Sequence, residues 1–182
     1  SDGDLMEGIS HEAASLAGHL KLKKLIVFFD DNGISIDGPV SLSNSENTIN
    51  RFKAYQWNTL SINGHDQDQI SKAISKAQKS NRPTLIACRT KIGFGSPNKQ
   101  GKSSAHGSPL GLDEIELTKT RLKWNYKPFE VPNNIKNAWL NSGSRSIDKY
   151  KKWKSNLNKI GANSKKEYAR RMRGKLPSNI NK

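Results

Sequence analysis

The sequence predicts an α/β protein with a doubly wound parallel sheet, and three observations carry this prediction. A short apolar run at 25–29 follows a helical pattern at 9–22. Strand-like segments follow at 57–62 and 84–90, and their spacing suits parallel strands with right-handed crossovers. Polar turns rich in Gly, Asp and Asn follow these runs, as expected where strands end at a ligand-binding edge. The sequence begins inside such a turn, so we expect a sheet truncated at its N-terminus.

Local patterns predict each element of this sheet. The apolar residues of 9–22 recur at a helical spacing, which predicts a core-facing helix; they are Ile9, Ala13, Leu16, Ala17 and Leu20. The run at 25–29 is continuously apolar, which predicts a central strand covered on both faces. A short helix capped near Ser45 is expected next. After the strand at 57–62, Asp66 or Asp68 is expected to cap the following helix.

His65 lies in the turn after the second predicted strand. Its position at a strand end leaves a functional role and an ordinary solvated turn both open. The single cysteine, Cys88, falls in the third predicted strand, which excludes a disulfide framework within the chain. We expect a buried, inert thiol there.

Positive charge is concentrated near the end of the sequence. The 182 residues include 31 Lys and Arg and 16 Asp and Glu, a net charge of +15. Residues 1–118 hold equal numbers of acidic and basic side chains, so the whole excess lies in 119–182. We therefore predict two parts: a partial α/β domain at 1–118 and a basic helical extension and linker at 119–182. Within the second part, helices are expected from Pro132-Asn133 onward, at 146–160 and at 165–172.

Composition also limits the kinds of partner that the chain is expected to bind. No apolar run reaches the roughly 20 residues that a membrane-spanning helix needs, so no membrane partner is expected. Most of the cations are Lys, which recognises phosphate less specifically than Arg does, and no nucleic-acid recognition motif accompanies them. Nucleic acid is therefore not the expected partner, although a basic nucleic-acid-binding module stays open as an alternative function.

Two turns carry the chemistry that we expect. Asp2-Gly3 opens the first helix and Asn32-Gly33 follows the first strand, so both can lie at the same edge of a parallel sheet. Carboxylate and amide oxygens suit Mg²⁺, which takes few protein carboxylates and leaves coordination positions for phosphate. Gly3 lets a phosphate approach the backbone at a helix start. The two turns thus predict a Mg²⁺-diphosphate clamp, with ordinary turns as the alternative.

Longer segments resemble a known family. Asp2-Gly3 followed by Asn32 thirty positions later resembles the signature of thiamine diphosphate enzymes. The segments 5–22 and 30–38, together with Ala105-His106-Gly107 and 170–177, resemble transketolases. The resemblance implies the thiamine diphosphate-binding fold and a homodimeric, cytoplasmic enzyme of the pentose phosphate pathway or Calvin cycle. Its activity would be glycolaldehyde transfer, from a ketose phosphate to an aldose phosphate.

The same resemblance implies roles for individual residues. Asp2 and Asn32 would bind Mg²⁺, or Ca²⁺ as a substitute, through side-chain oxygens, and Ile34 would bind it through its backbone carbonyl. His106 would contact both the diphosphate and the sugar as a catalytic residue. The further assignments are Gly3 at the diphosphate, Ile36 against the thiazolium ring and Glu7 at the subunit interface.

Other readings of the resemblance stay open. Dihydroxyacetone synthase and deoxyxylulose phosphate synthase also use thiamine diphosphate, although 30–38 and 105–107 favour transketolase. The family's glutamate that activates the cofactor lies in a second domain, which would follow this sequence. We therefore expect the polypeptide by itself to be inactive.

Overall fold

A three-stranded parallel sheet organises the fold in the computed structural model, which describes residues 1–180. The strands are β1 (Ile26–Asp31), β2 (Asn58–Asn63) and β3 (Thr84–Arg89), and they lie in the order β1-β3-β2. Asp31 of β1 and Asn63 of β2 both pair with Arg89 of β3. The three carboxyl ends are therefore level, and the polar turns that follow them share one edge of the sheet.

Helices connect the strands and extend the chain beyond the sheet. In chain order they are α1 (Asp2–Met6), α2 (Gly8–His19), α3 (Thr48–Ala54), α4 (Gln67–Ala77), α5 (Leu112–Leu122), α6 (Asn133–Ser144), α7 (Ile147–Lys159) and α8 (Ala162–Met172). Short 3₁₀ turns occur at Val40–Leu42 and Ser103–Ala105.

Alternation along β3 divides the core into two layers, because successive side chains of a strand point to opposite faces. Leu85 and Ala87 belong to one buried cluster, and Ile86 and Cys88 belong to another. The first cluster also contains residues from α2, β1, α3 and the position just before β2, namely Ala14, Ala17, Phe29, Phe52 and Trp57. The second contains Ile62 of β2 with Ala73 and Ala77 of α4. Helices thus cover both faces of the sheet, which confirms the doubly wound prediction.

Polar caps begin the two helices that flank β2. Asp66 caps α4, and its Oδ1 accepts hydrogen bonds of 3.0 Å from the backbone of Asp68 and of Gln69. The cap of α3 is Asn47, whose side chain accepts a hydrogen bond from Asn50 N over 2.9 Å. The prediction of a cap near Ser45 was therefore two residues early, because Ser and Asn are both good caps and the sequence does not choose between them.

The central strand is β3 rather than β1. Leu85 and Ile86 of β3 are fully buried, whereas Phe28 of β1 is 49% exposed. The prediction that 25–29 forms a central strand covered on both faces is wrong for the described sheet, in which β1 lies at an edge. An apolar run indicates burial, but it does not tell where a strand lies in the sheet order.

The cysteine lies in the core as predicted. Cys88 is a buried free thiol on β3. Burial raises the pKa of this thiol, and the nearby charge of Asp30 raises it further. The reactive thiolate form is thereby disfavoured at neutral pH.

The chain divides into two compact units, Ser1–Asn125 and the residues from Tyr126 onward. The first unit holds the sheet with α1 to α5, and the second holds α6 to α8. The boundary predicted between 118 and 119 falls inside α5, and the domain assignment itself stays a prediction. Within 1–180, no helix is both long enough and apolar enough to cross a bilayer.

Candidate metal and diphosphate site

Asp2 lies beside the carboxyl end of β1. It begins α1 and is only 9% exposed. Burial raises the pKa of its carboxyl group, and the negative charges of Asp31 and Asp30 at the end of β1 raise it further. Carboxylates shift one another's pKa in this way only when they lie close together. The fold therefore brings Asp2 to the end of the strand that leads directly into Asn32.

One carboxylate oxygen of Asp2 has no hydrogen-bond partner among the described residues. Across the described residues, Asp2 Oδ2 is buried without a hydrogen-bond partner. Leaving a buried polar atom unsatisfied costs about 1–3 kcal/mol, and the two neighbouring carboxylates add repulsion. A divalent cation would satisfy this oxygen and offset the repulsion. The surroundings of Asp2 therefore fit a bound Mg²⁺.

Asn32 is held in one orientation by hydrogen bonds on both sides of its amide. Its Nδ2 donates to Asp30 Oδ2 over 3.1 Å, and its Oδ1 accepts from Ile34 N over 2.9 Å. The other carboxylate oxygen of Asp30, Oδ1, accepts a hydrogen bond from the hydroxyl of Thr90, just after β3. Because a carbonyl oxygen has two lone pairs, Asn32 Oδ1 keeps one for a cation. Thr90, which follows β3, thus helps to orient Asn32, the predicted metal ligand that follows β1.

The turn after Asn32 folds back on itself. Gly33 has a φ of 70°, which glycine adopts without strain. Its carbonyl accepts a hydrogen bond from Val40 N over 2.9 Å, and Ile34 bridges to Pro39. Ile36 lies at the tip of this turn and is 71% exposed. An apolar side chain is thus presented to the surroundings of the site rather than to the core.

Gly3 and Glu7 lie at the ends of the short helix α1. Gly3 is exposed, and a Cβ added there would meet no atom within 4 Å. A group such as a phosphate can therefore approach the backbone of Gly3 without a steric barrier. Glu7 is the exposed residue between α1 and α2.

His106 lies on the long segment 90–111 that follows β3. It comes directly after the 3₁₀ turn at Ser103–Ala105, and its backbone N–H donates to Ser103 O over 2.8 Å. The side chain is exposed. The segment starts from the edge that holds Asp30 and Asn32, so His106 belongs to a loop that is rooted at the site.

A buried carboxylate anchors that loop. Glu114, in the first turn of α5, accepts hydrogen bonds at Oε1 from the buried hydroxyl of Ser96 and from Asn98 N, the latter over 2.8 Å. Its Oε2 accepts from Asn98 Nδ2 over 2.9 Å. These hydrogen bonds lower the pKa of Glu114 to about 2, and the bond from Ser96 has the largest effect. The carboxylate stays ionised at neutral pH and ties 96–98 to α5.

Three residues of this region were not identified as supporting groups from the sequence. Thr90 and Glu114 act through contacts that depend on the sheet order and on the loop path. His65 accepts a hydrogen bond from the backbone of Lys91. Its place at a strand end was the one signal that could have indicated this contact.

Within the described part of the chain, carboxylate and histidine side chains alone do not form a metal centre. Among residues 1–180, no group of three or more His, Cys, Asp or Glu side chains is arranged to hold an ion. The predicted ligand set differs in kind, because it combines one carboxylate, Asp2, with an amide and a backbone carbonyl. Such a set leaves the remaining coordination positions to phosphate and water.

Comparison with known proteins identifies the family. A family model described as transketolase, thiamine diphosphate binding domain, matches residues 1–177. Transketolase 2 of Escherichia coli strain K12 is 46% identical over 185 residues, which cover all of this chain and 28% of that protein.

Solved structures agree with this assignment. Transketolase from Leishmania mexicana superposes with a TM-score of 0.89 at 36% identity, covering 97% of this chain and 27% of that one. A transketolase of Pichia stipitis in complex with sedoheptulose-7-phosphate gives a TM-score of 0.83 at 40% identity, covering 96% of this chain and 27% of that one. The chain thus spans about a quarter of the length of the relatives it matches. Together, the fold, the family model and the relatives place this chain in the transketolase family, within the thiamine diphosphate-binding domain.

Proposed function

We propose that this chain forms the diphosphate- and cation-binding part of a transketolase, which moves a two-carbon ketol unit from a ketose phosphate to an aldose phosphate in the pentose phosphate pathway. Membership of the family supports the reaction class. The sugar phosphate bound to the Pichia stipitis relative supports the substrate class. Thiamine diphosphate, when bound, would supply the nucleophilic carbon for transfer of the two-carbon unit.

Mg²⁺ is the proposed cation, with Ca²⁺ as a substitute. Asp2 would bind it through a carboxylate oxygen, Asn32 through Oδ1 and Ile34 through its backbone carbonyl. The observation that carries this proposal is the buried, unpaired Oδ2 of Asp2 beside the carboxylates of Asp30 and Asp31. A cation bound there would relieve the repulsion between the carboxylates and would attract a diphosphate.

The remaining residues would orient the cofactor. Gly3 offers an open backbone approach to the diphosphate, and Asn32 adds a polar contact. Ile36 would cover the apolar side of the thiazolium ring, a role supported by its exposure at the tip of its turn. Stacking an exposed apolar side chain on a ring removes both surfaces from water.

His106 is the proposed catalytic residue of this chain. An imidazole between a diphosphate and a sugar can donate hydrogen bonds to both, and it can hold or return a proton as a hydroxyl oxygen gains or loses charge. The anchoring of its loop by Glu114 supports this role, because a donor must be held in place to favour the transition state.

A hybrid enzyme tests the proposed function. This chain replaces the matching segment of the Escherichia coli relative, and calorimetry measures thiamine diphosphate binding with and without Mg²⁺. We expect binding that requires Mg²⁺ and that Asp2→Asn weakens by at least about tenfold, as loss of a metal ligand does. Asp68→Asn, an exposed carboxylate in α4, serves as the matched control and should bind like the parent. Binding that persists without Mg²⁺, or that ignores Asp2→Asn, would refute the proposal.

Activity of the same hybrid tests His106. We expect His106→Phe to lower kcat/KM for two-carbon transfer by about 10²-fold or more while thiamine diphosphate still binds. We also expect the 182-residue chain alone to give no transfer, because it spans about a quarter of the length of its relatives. Transfer by the chain alone would contradict that expectation.

We further propose a homodimeric, cytoplasmic enzyme. The helix α2 supports dimerisation: Ile9, Leu16 and Leu20 were expected to face the core but are exposed on it. Glu7 immediately precedes this helix. Sedimentation of the hybrid should show a dimer that Leu16→Glu weakens, whereas Ser15→Glu, one residue away, tests charge alone. The cytoplasmic assignment follows from the soluble sugar phosphate substrates, and cell fractionation would test it.

A further inference from the structure

His65 joins the end of β2 to the start of the loop that follows β3. Its Nε2 accepts a hydrogen bond from Lys91 N over 3.0 Å. Its ring stacks on Phe94 with 4.0 Å between the centroids and 22° between the planes. Its own backbone N–H donates to Asn63 Oδ1 over 3.0 Å, which fixes the turn from which it projects. One side chain therefore makes two independent contacts with the first residues of the loop.

We propose that His65 is a positioning residue, which sets the path of the loop 90–111 and thereby the position of His106. The inference rests on the proposed function, since it matters for catalysis only if His106 meets the sugar phosphate. Because Nε2 accepts a backbone N–H, the hydrogen-bond pattern assigns the proton of the neutral ring to Nδ1. His65 thus acts as an acceptor toward the loop, and it is not a metal ligand.

Contacts within the loop link the residues around Phe94 to those around His106. Gly93 has a φ of 62°, and a Cβ added there would lie 2.9 Å from the Cβ of Ala105. The start of the loop therefore packs closely against the residue that precedes His106. Gly101 N also donates to Ile92 O over 2.8 Å, which closes the loop onto its own first residues.

The contacts of His65 lie outside the core. A positioning role of His65 can therefore be tested without destabilising the sheet. His65 is exposed and Phe94 is 54% exposed. Neither residue belongs to the two buried clusters around the sheet. Removing the contacts should therefore shift the loop while it leaves the unfolding transition of the sheet nearly unchanged.

Two substitutions test the hydrogen bond and the ring stacking of His65 separately. His65→Phe keeps a ring that can stack on Phe94 but removes the acceptor for Lys91 N–H. His65→Gln keeps an acceptor of similar reach but removes the ring. His19→Phe, at an exposed histidine on α2, is the matched control.

Amide hydrogen exchange of the 182-residue chain is the first measurement. We expect His65→Phe to lower the protection of the Lys91 amide by about tenfold, as loss of one hydrogen bond predicts. His65→Gln should restore most of that protection, and His19→Phe should leave it unchanged. Unchanged Lys91 protection in His65→Phe would overturn the proposal, and so would an equal loss at all amides of the sheet.

Kinetics of the hybrid enzyme are the second measurement. We expect His65→Phe to raise KM for the sugar phosphate or lower kcat several-fold while the affinity for thiamine diphosphate stays that of the parent, with partial recovery in His65→Gln. Parental kinetics in His65→Phe would overturn the link to His106. If the parent hybrid fails to bind thiamine diphosphate, the proposed function fails, whereas the exchange measurement still decides whether His65 holds the loop.

Discussion

Asn32 donates a hydrogen bond from its side-chain Nδ2 to Asp30 Oδ2 over 3.1 Å. Asp30 in turn accepts a hydrogen bond from Thr90, which lies after the central strand. The carboxylate of Asp30 therefore orients the side chain of a proposed metal ligand. Such supporting groups control how well the ligand oxygen is aimed at a cation.

Replacing Asp30 should weaken cation binding through Asn32. In Asp30→Ala the amide of Asn32 loses its partner and can rotate, so we expect Mg²⁺-dependent thiamine diphosphate affinity to fall by about 10- to 100-fold. Calorimetry of the hybrid enzyme measures this change. Asp68→Ala controls for loss of an exposed carboxylate, and an Asp30→Ala affinity equal to that control would show that Asp30 does not support the site.

Removing the charge of Asp2 should stabilise the cation-free chain. The pKa of Asp2 is raised by burial and by Asp31, so its charged form is disfavoured in the fold. The stabilisation that the protonated carboxyl of Asp2 contributes is fully present below the pKa of an unfolded aspartate. It is lost as the pH rises through the raised pKa of the folded state. At pH 7 in a chelator, we therefore expect Asp2→Asn to raise Tm by about 2 °C or more.

Added Mg²⁺ should affect the parent chain and the Asp2→Asn variant differently. The cation should raise Tm of the parent chain and leave Asp2→Asn unaffected, because the variant lacks the charged ligand. Thermal denaturation followed by circular dichroism measures both effects. A cation-free Asp2→Asn that melts below the parent at pH 7 would argue that the carboxylate is already compensated.

Acid should release the loop that Glu114 anchors. The hydrogen bonds from Ser96 and Asn98 lower the pKa of Glu114 to about 2, so its stabilising contribution is full above the ordinary value of 4.5 and is lost as the pH falls toward 2. We expect Glu114→Gln to lower protection of the Asn98 amide at pH 6 by about tenfold. The difference from the parent should shrink between pH 4.5 and pH 2.

Glu116 offers a control on the same helix. It is exposed and pairs with Lys119 at 3.1 Å, so Glu116→Gln removes a charge without touching the loop. Amide exchange at Asn98 should be that of the parent. Equal effects of the two substitutions would mean that helix charge, rather than the hydrogen bonds of Glu114, holds the loop.

Gly18 packs closely against the backbone that follows α3. A Cβ at this position in α2 would lie 1.8 Å from the carbonyl oxygen of Tyr55, at the end of α3. Because backbone must move to admit a methyl group, we expect Gly18→Ala to destabilise the chain by about 3 kcal/mol. Urea unfolding measures the loss. Gly8→Ala, at an open position of the same helix, should change stability by less than about 1 kcal/mol, and similar values for both would contradict the close packing.

The sequence predicted the strands and singled out the candidate site residues because both have local signals. The apolar run at 25–29, found as Ile26–Asp31, needs no knowledge of distant residues. Asp2 and Asn32 could be associated because parallel strands deliver their ends to one edge. The edge position of β1 was missed, since sheet order depends on which strands pair rather than on their composition.

Supporting contacts were missed for a related reason. Thr90 meets Asp30 across sixty positions of sequence, and Glu114 meets Ser96 across eighteen. A threonine after a strand and an acidic residue in a first helical turn are common, and the second has an ordinary explanation in the helix dipole. Only the path of the chain distinguishes these residues from their neighbours.

The order β1-β3-β2 has a consequence for synthesis on the ribosome. In the described residues, β1 and β2 pair only with β3, which is the last of the three to be translated. The ladders that β1 and β2 form with β3 can therefore close only after Arg89 has left the exit tunnel. Nascent chains stalled at residue 80 should be digested readily by protease, and those stalled far beyond Arg89 should resist it. Resistance at the earlier stall would mean that the sheet can assemble without its middle strand.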